Sequence, residues 1–397
     1  MSYSFSRRTD WPSGENELSL LLKSMLSRGE QVIDLTLANP TRAGLAYDQQ
    51  KLLSALASAE SLVYAPLPCG LLRTREAVGA YYAGKGIRVV PERLLLTAGT
   101  SEAYSFLFRL LTEPGDKVLV PAPGYPLFSF LADLNDVSLE HYRLRFEEGR
   151  WRIDFESLEG LLGPNARTVI LVSPNNPTGS CVSRDELLQL NRLCAAHSAA
   201  IISDEVFCDY LFPGQEASFG SLAGNDEVLS FALGGISKSL ALPQMKLAWI
   251  AANGPRDVLS EALARLEVIA DTYLSVSTPV QHAAVKWLAD MPAFSAMVLE
   301  RVTGNYAFLC GELARSKAGE CFPVQGGWYA LLRREGLCVD ENWALGLLAQ
   351  ERVSVHPGYF FDMPGEDFIV LSLLPESLDF QEGVRRLCRH MGGVHRG

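Results

Sequence analysis

Lys238 stands in ISKSLALPQMK (236–246), an apolar stretch preceded by two glycines and without a carboxylate near it in sequence. Such a lysine is either a surface amine between two loops or a desolvated one, its pKa lowered, suited to forming an imine with an aldehyde. Asp204 closes the apolar run AAIIS (199–203). Its carboxylate either emerges partly buried at a sheet rim, where it needs a cationic partner, or caps a loop. Asn175 and Asn176 precede Pro177 and Gly179 in SPNNPTG (173–179), a turn-rich segment that either presents amide side chains or is only a loop. Gly99, Thr100 and Ser101, in TAGTSEA (97–103), combine a glycine turn with two hydroxyls at a helix start. Free N–H groups and the helix dipole there suit a phosphate; an ordinary capped turn is the plainer reading.

Short aliphatic and β-branched runs at 94–97, 117–120, 168–172, 200–203, 228–233 and 246–251 read as buried parallel strands. Between them, stretches such as 101–111 and 183–197 return apolar residues at helical spacing, the second opening on a Ser183/Glu186 capping box. The alternation predicts an α/β fold, a mostly parallel mixed sheet covered by helices. All four candidate segments then fall just after strands, where open α/β sheets gather ligand groups. From about residue 276 a long helical region precedes three strand-like runs at 328–333, 353–356 and 368–374, which reads as a smaller α+β unit. The expected division is an N-terminal segment, 1–45, packing with that unit, a large domain, 46–275, and the small domain, 276–397.

Composition excludes other classes. Hydrophobic residues are 48% of 397, enough for a large core and against wholesale disorder. Lys plus Arg number 35 against 46 Asp plus Glu, a net charge of -11 that is the wrong sign for nucleic acid. The eight cysteines form no CxxC pair and lack histidines at metal spacing, so they read as reduced thiols and no metal is expected. The most apolar region, 228–253, is broken by Gly234, Gly235, Lys238, Pro243 and Lys246, so no membrane span is expected. Without a secretory pattern at the N-terminus, the expected setting is cytoplasmic.

Taken as a set and in this order, with the lysine 34 residues after the aspartate, SPNNPTG, SDEV and SKS resemble the fold-type-I pyridoxal-phosphate enzymes, specifically the class I/II aminotransferase family. The resemblance runs from ANP (38–40) to PGY (357–359). It implies pyridoxal 5'-phosphate as cofactor, carried by Lys238, which would also move the substrate's Cα proton. Asp204 would pair with the ring nitrogen, Asn176 would donate to the ring's phenolic oxygen and Tyr125, in PAPGYPLF, would stack on the ring. Gly99, Thr100, Ser101, Ser237 and Lys246 would hold the phosphate. Tyr64 matches a tyrosine lent to the other subunit's phosphate, so a homodimer is implied, acting on amines and 2-oxo acids.

Four positions depart from the family pattern. Phe207 replaces a tyrosine and removes a donor, Lys246 replaces an arginine and loses its bidentate fork, and Gly235 replaces a serine. Val370, in FIVLSLLP, stands where the arginine for the substrate carboxylate is expected, and no Arg or Lys occurs between Phe368 and Pro375. Arg42 and Arg333 are the remaining basic candidates. The expected function is therefore transamination of an amino compound with atypical carboxylate recognition, and Val370→Arg is expected to favour ordinary α-amino acids. A lyase, decarboxylase or cyclase on the same scaffold is the alternative, and a cofactor-binding protein without turnover is a third.

Overall fold

The computed structural model describes residues 3–11, 14–215 and 219–393. Fourteen strands occur among them: β1 (Ile33–Asp34), β2 (Leu94–Thr97), β3 (Lys117–Ala122), β4 (Ser138–Glu147), β5 (Arg150–Ile153), β6 (Ala166–Val172), β7 (Ala200–Asp204), β8 (Ser230–Gly235), β9 (Ala248–Asn253), β10 (Glu320–Cys321), β11 (Tyr329–Arg333), β12 (Val353–Ser354), β13 (His356–Pro357) and β14 (Phe368–Ser372).

Eight strands form one mixed sheet in the order β2-β9-β8-β7-β6-β3-β4-β5. Strands β4, β3, β6, β7 and β8 run parallel, and β9 lies antiparallel between β8 and β2. Because β9 reverses and β2 reverses again, β2 ends at the same edge as β6, β7 and β8. The central strands are apolar throughout because both faces are covered. In β7, Ile201 faces one core cluster with Leu190 and Trp249, while Ile202 faces the other with Phe106 and Phe231. The β4–β5 hairpin was not evident in the sequence: SLEHYRLRFE is mostly polar and half-exposed, so it carries no apolar run.

A second, antiparallel sheet has the order β10-β11-β14-β13. Ile369 and Leu371 of β14 pack on Phe380, Val384 and Leu387 of the last helix, Ser377–Gly393. Val370, between them, faces the opposite way. Strand β1 pairs in parallel with β12, and Leu18 and Met25 of the helix Glu17–Ser27 pack on Ala344 and Leu348. The 39-residue helix Thr278–Ser316 places Ala284 and Trp287 in the core of the large sheet and Val302 and Leu309 in that of the small one. One rigid element thus bears on both sheets. Among the described residues, no helix is long and apolar enough to cross a membrane.

Candidate active site

Four chain segments converge because their strands end side by side. Val172, which precedes SPNNPTG, is the register partner of Asp204, and Asp204 is in turn the partner of Leu233 on β8. Beyond Gly235 the chain enters the short helix Ile236–Ser239, which carries Ser237 and Lys238. Two phenols, one buried and one half-buried, hold this turn: Tyr210 donates to the Lys238 carbonyl (2.6 Å) and Tyr47 to that of Ala241 (2.7 Å). The SPNNPTG turn needs its glycine. Gly179 has φ +66°, and a Cβ there would lie 2.7 Å from Val324 Cγ1.

Asp204 is 8% exposed, at the end of β7. Its Oδ1 accepts the Val206 N–H (3.2 Å) and its Oδ2 the Tyr104 hydroxyl (3.2 Å). Burial pushes this carboxyl up to about 6, against the opposing pull of those two bonds and of the Lys238 charge. Lys238 is lowered, first by burial, with Asp204 acting in the opposite sense. Its Nζ lies 5.1 Å from the Trp328 ring centre and 5.6 Å from that of Phe207. Among the described residues, no carboxylate stands within ion-pair distance of it. A part-buried amine without an anion and a buried carboxylate without a cation at contact thus share one rim.

Asn176 is buried and faces the Tyr329 hydroxyl, while its Oδ1 has no hydrogen-bond partner. Tyr125 is half-buried, edge-on to Phe128 at 5.8 Å, and pushed up to about 12 by burial and then by the Asp204 charge. Thr100 begins the helix Thr100–Leu111, whose N-cap, Gly99, makes no side-chain cap bond. Lys246 reaches this turn: a Cβ on Gly99 would stand 3.5 Å from its Nζ. Ser101 is exposed and Ser237 half-buried beside Lys238. Tyr64 is 78% exposed, on a run whose Leu62 and Val63 are exposed as well.

Val370 is fully buried, packed with Trp151, Phe322, Leu331 and Phe361, with Leu331 and His356 as its register partners. Arg333 is committed to Asp367 (2.7 Å), and Arg42 is exposed at the end of the turn Pro40–Arg42. Sequence reading missed Tyr104, Tyr210, Trp328 and Tyr329. For Tyr104 a signal existed, a phenol among apolar residues one turn after Thr100; the others announce themselves only through their tertiary partners.

The raised Asp204 carboxyl has a measurable consequence. Its folded value, about 6, exceeds the unfolded one, so between roughly pH 4 and 6 the folded state binds more protons and stability falls as pH rises. Above that window the deficit is complete, on the order of 3 kcal/mol. Asp204→Asn should remove this slope and make the cofactor-free protein more stable than wild type at pH 8. Denaturant titrations of both proteins at pH 5 and 8 check it; equal stability at pH 8 would show that burial does not strain this carboxylate.

Residues 32–376 match the family model "Aminotransferase class I and II". The chain is 26% identical over 387 residues to the glutamate-pyruvate aminotransferase AlaA of Escherichia coli, covering 94% of this chain and 93% of that protein. It is 29% identical over 357 residues to the tyrosine aminotransferase of Bos taurus, covering 87% and 79%. The solved alanine aminotransferase of Pyrococcus furiosus superposes with a TM-score of 0.88 over 98% of this chain and 100% of that one, at 22% identity, which is a likeness of fold.

Proposed function

This chain belongs to the class I and II aminotransferase family, whose members use pyridoxal 5'-phosphate, and on that premise we propose which residues hold the cofactor and what kind of amino compound the enzyme accepts. The residues present fit the group. Asp204 and Lys238 lack counter-charges at contact distance, and an uncapped helix start faces the Lys246 ammonium. Gly99, Thr100, Ser101, Ser237 and Lys246 would hold the phosphate, Tyr125 and Asn176 the ring, Asp204 the ring nitrogen, and Lys238 the aldehyde carbon.

When bound, pyridoxal phosphate supplies an aldehyde that captures amines and a ring that accepts the electron pair left when a Cα proton departs. The chain's own residues do the rest. Burial lowers Lys238, which makes its Nζ easier to deprotonate, and an uncharged Nζ can take and return that proton. Asp204, ionised, places a fixed negative charge where a protonated ring nitrogen needs one. Tyr210, on the Lys238 carbonyl, keeps the lysine's backbone in place. The exposed Leu62, Val63 and Tyr64 support a homodimer in which Tyr64 serves the partner's site.

For the substrate, the observation that carries the reading is Val370 in its apolar cluster. The relatives named above act, by their names, on glutamate, pyruvate and tyrosine. Here the position expected to grip a carboxylate is closed by Trp151, Phe361 and Leu331, and Arg333 is held by Asp367. The enzyme accepts an amino compound that presents an apolar group, or a displaced carboxylate, to the small sheet. Alanine, aspartate and glutamate should be poor amino donors in a panel scored for ketone product, whereas ammonia or carbon dioxide would indicate elimination or decarboxylation instead. Efficient turnover of any of these three would defeat the substrate reading and leave the family intact.

The packing also changes the expected result of Val370→Arg. No open place awaits a guanidinium there, so the variant buries an unpaired charge and should lose about 3 kcal/mol or more of stability rather than gain activity on α-amino acids. A melting curve beside the same donor panel decides it; unchanged stability with improved alanine turnover would show that the position opens onto the substrate.

A further inference from the structure

The helix Thr100–Leu111 carries two features four residues apart: its uncapped start at Thr100 and, one turn on, Tyr104. Tyr104 is 2% exposed, with its ring edge-on to Phe128 at 5.4 Å and tilted against Phe108 at 6.1 Å. The other buried members of this core cluster, among them Leu95, Val120, Ile202 and Leu233, are apolar. A phenylalanine would fill the same volume, and a buried hydroxyl is costly unless bonded. The Tyr104 hydroxyl meets Asp204 Oδ2 at 3.2 Å, across 100 residues of sequence.

We propose that Tyr104 is a positioning residue for Asp204: its hydroxyl on Oδ2 and the Val206 N–H on Oδ1 set the orientation of the carboxylate toward the ring nitrogen. This rests on the reading of Asp204 as the ring nitrogen's partner. One rigid helix then places both ends of the cofactor, the phosphate through its N-terminus and the ring nitrogen through Tyr104 and Asp204. The groups facing Asp204 are Lys238, Tyr104 and Tyr125, and of these only Tyr104 donates to it directly. A hydrogen bond to a carboxylate favours its charged form, so losing this one makes Asp204 more basic and draws the shared proton away from the ring nitrogen.

The test uses the holoenzyme loaded with cofactor labelled with 15N in the ring. Tyr104→Phe keeps the ring packing and removes the hydroxyl. Its 15N resonance should move toward the unprotonated position, kcat should fall about tenfold or more with KM little changed, and adding the same change to Asp204→Asn should do nothing further. A wild-type resonance and kcat in Tyr104→Phe, with only a lower melting temperature, would reduce Tyr104 to a core residue and overturn the proposal. If Asp204→Asn itself keeps the wild-type resonance and turnover, it is the assignment of Asp204 that fails, a result distinct from the first.

Discussion

Lys238→Ala should abolish covalent attachment of the cofactor and lower turnover by about 10⁴-fold or more, since in the proposed function Lys238 is both the amine that carries the aldehyde and the group that moves the proton. The size of the effect follows from the surroundings of Nζ. Trp328 and Phe207 wall it, and among the described residues no carboxylate pairs with it, so no neighbour can take over as base. Its backbone carbonyl is held by Tyr210, which should keep the turn folded in the variant. Borohydride reduction followed by peptide mapping reads the attachment: the wild type should carry the added mass on the peptide containing Lys238, and the variant on none. Full turnover in the variant, or the mass on another lysine, would identify the wrong residue.

Replacing Asp204 should produce the second largest loss. Asp204→Ala removes the buried carboxylate that feels the Lys238 charge, and preorganised electrostatic partners of this kind contribute about 3 to 4 kcal/mol, a factor on the order of 10² to 10³ in kcat. The loss should appear at saturating cofactor, because the proposed phosphate contacts, Lys246 and the start of the helix Thr100–Leu111, do not include Asp204. The opposing result expected for cofactor-free stability separates this from simple unfolding. Freed of a carboxylate that burial holds near 6 but keeping an acceptor for Tyr104 and Val206, the Asp204→Asn protein should gain stability at pH 8 while the enzyme loses activity. A minor rate loss at saturating cofactor would refute the role.

Much of the scaffold was legible because its signals are local. The run LLLT at 94–97 is β2 from end to end, AIIS gains only Asp204 to become β7, and the Ser183/Glu186 capping box forms as its spacing predicts. Apolar runs of this kind name their own conformation, and Gly or Pro beside them name the turns. Where local signals were weak, the reading stopped short. The polar β4–β5 hairpin was missed, and the run at 353–356 divides into β12, which pairs with β1, and β13, which pairs with β14.

By itself, the sequence determined that Lys238, Asp204, Asn176 and Gly99 follow four strands, and hence that they can meet at one sheet edge. It could not say what surrounds them. That Oδ2 of Asp204 meets Tyr104, that Tyr329 faces Asn176 and that Trp328 walls Lys238 depend on strand order, register and the seating of the small sheet. Val370 shows the division most clearly. Its identity removes a guanidinium, but only the tertiary structure decided whether the place stands open or is filled, and Trp151, Phe322 and Phe361 fill it. The reason is physical: periodicity assigns a side chain to a face, whereas its contacts are set by elements distant in sequence that pack against that face.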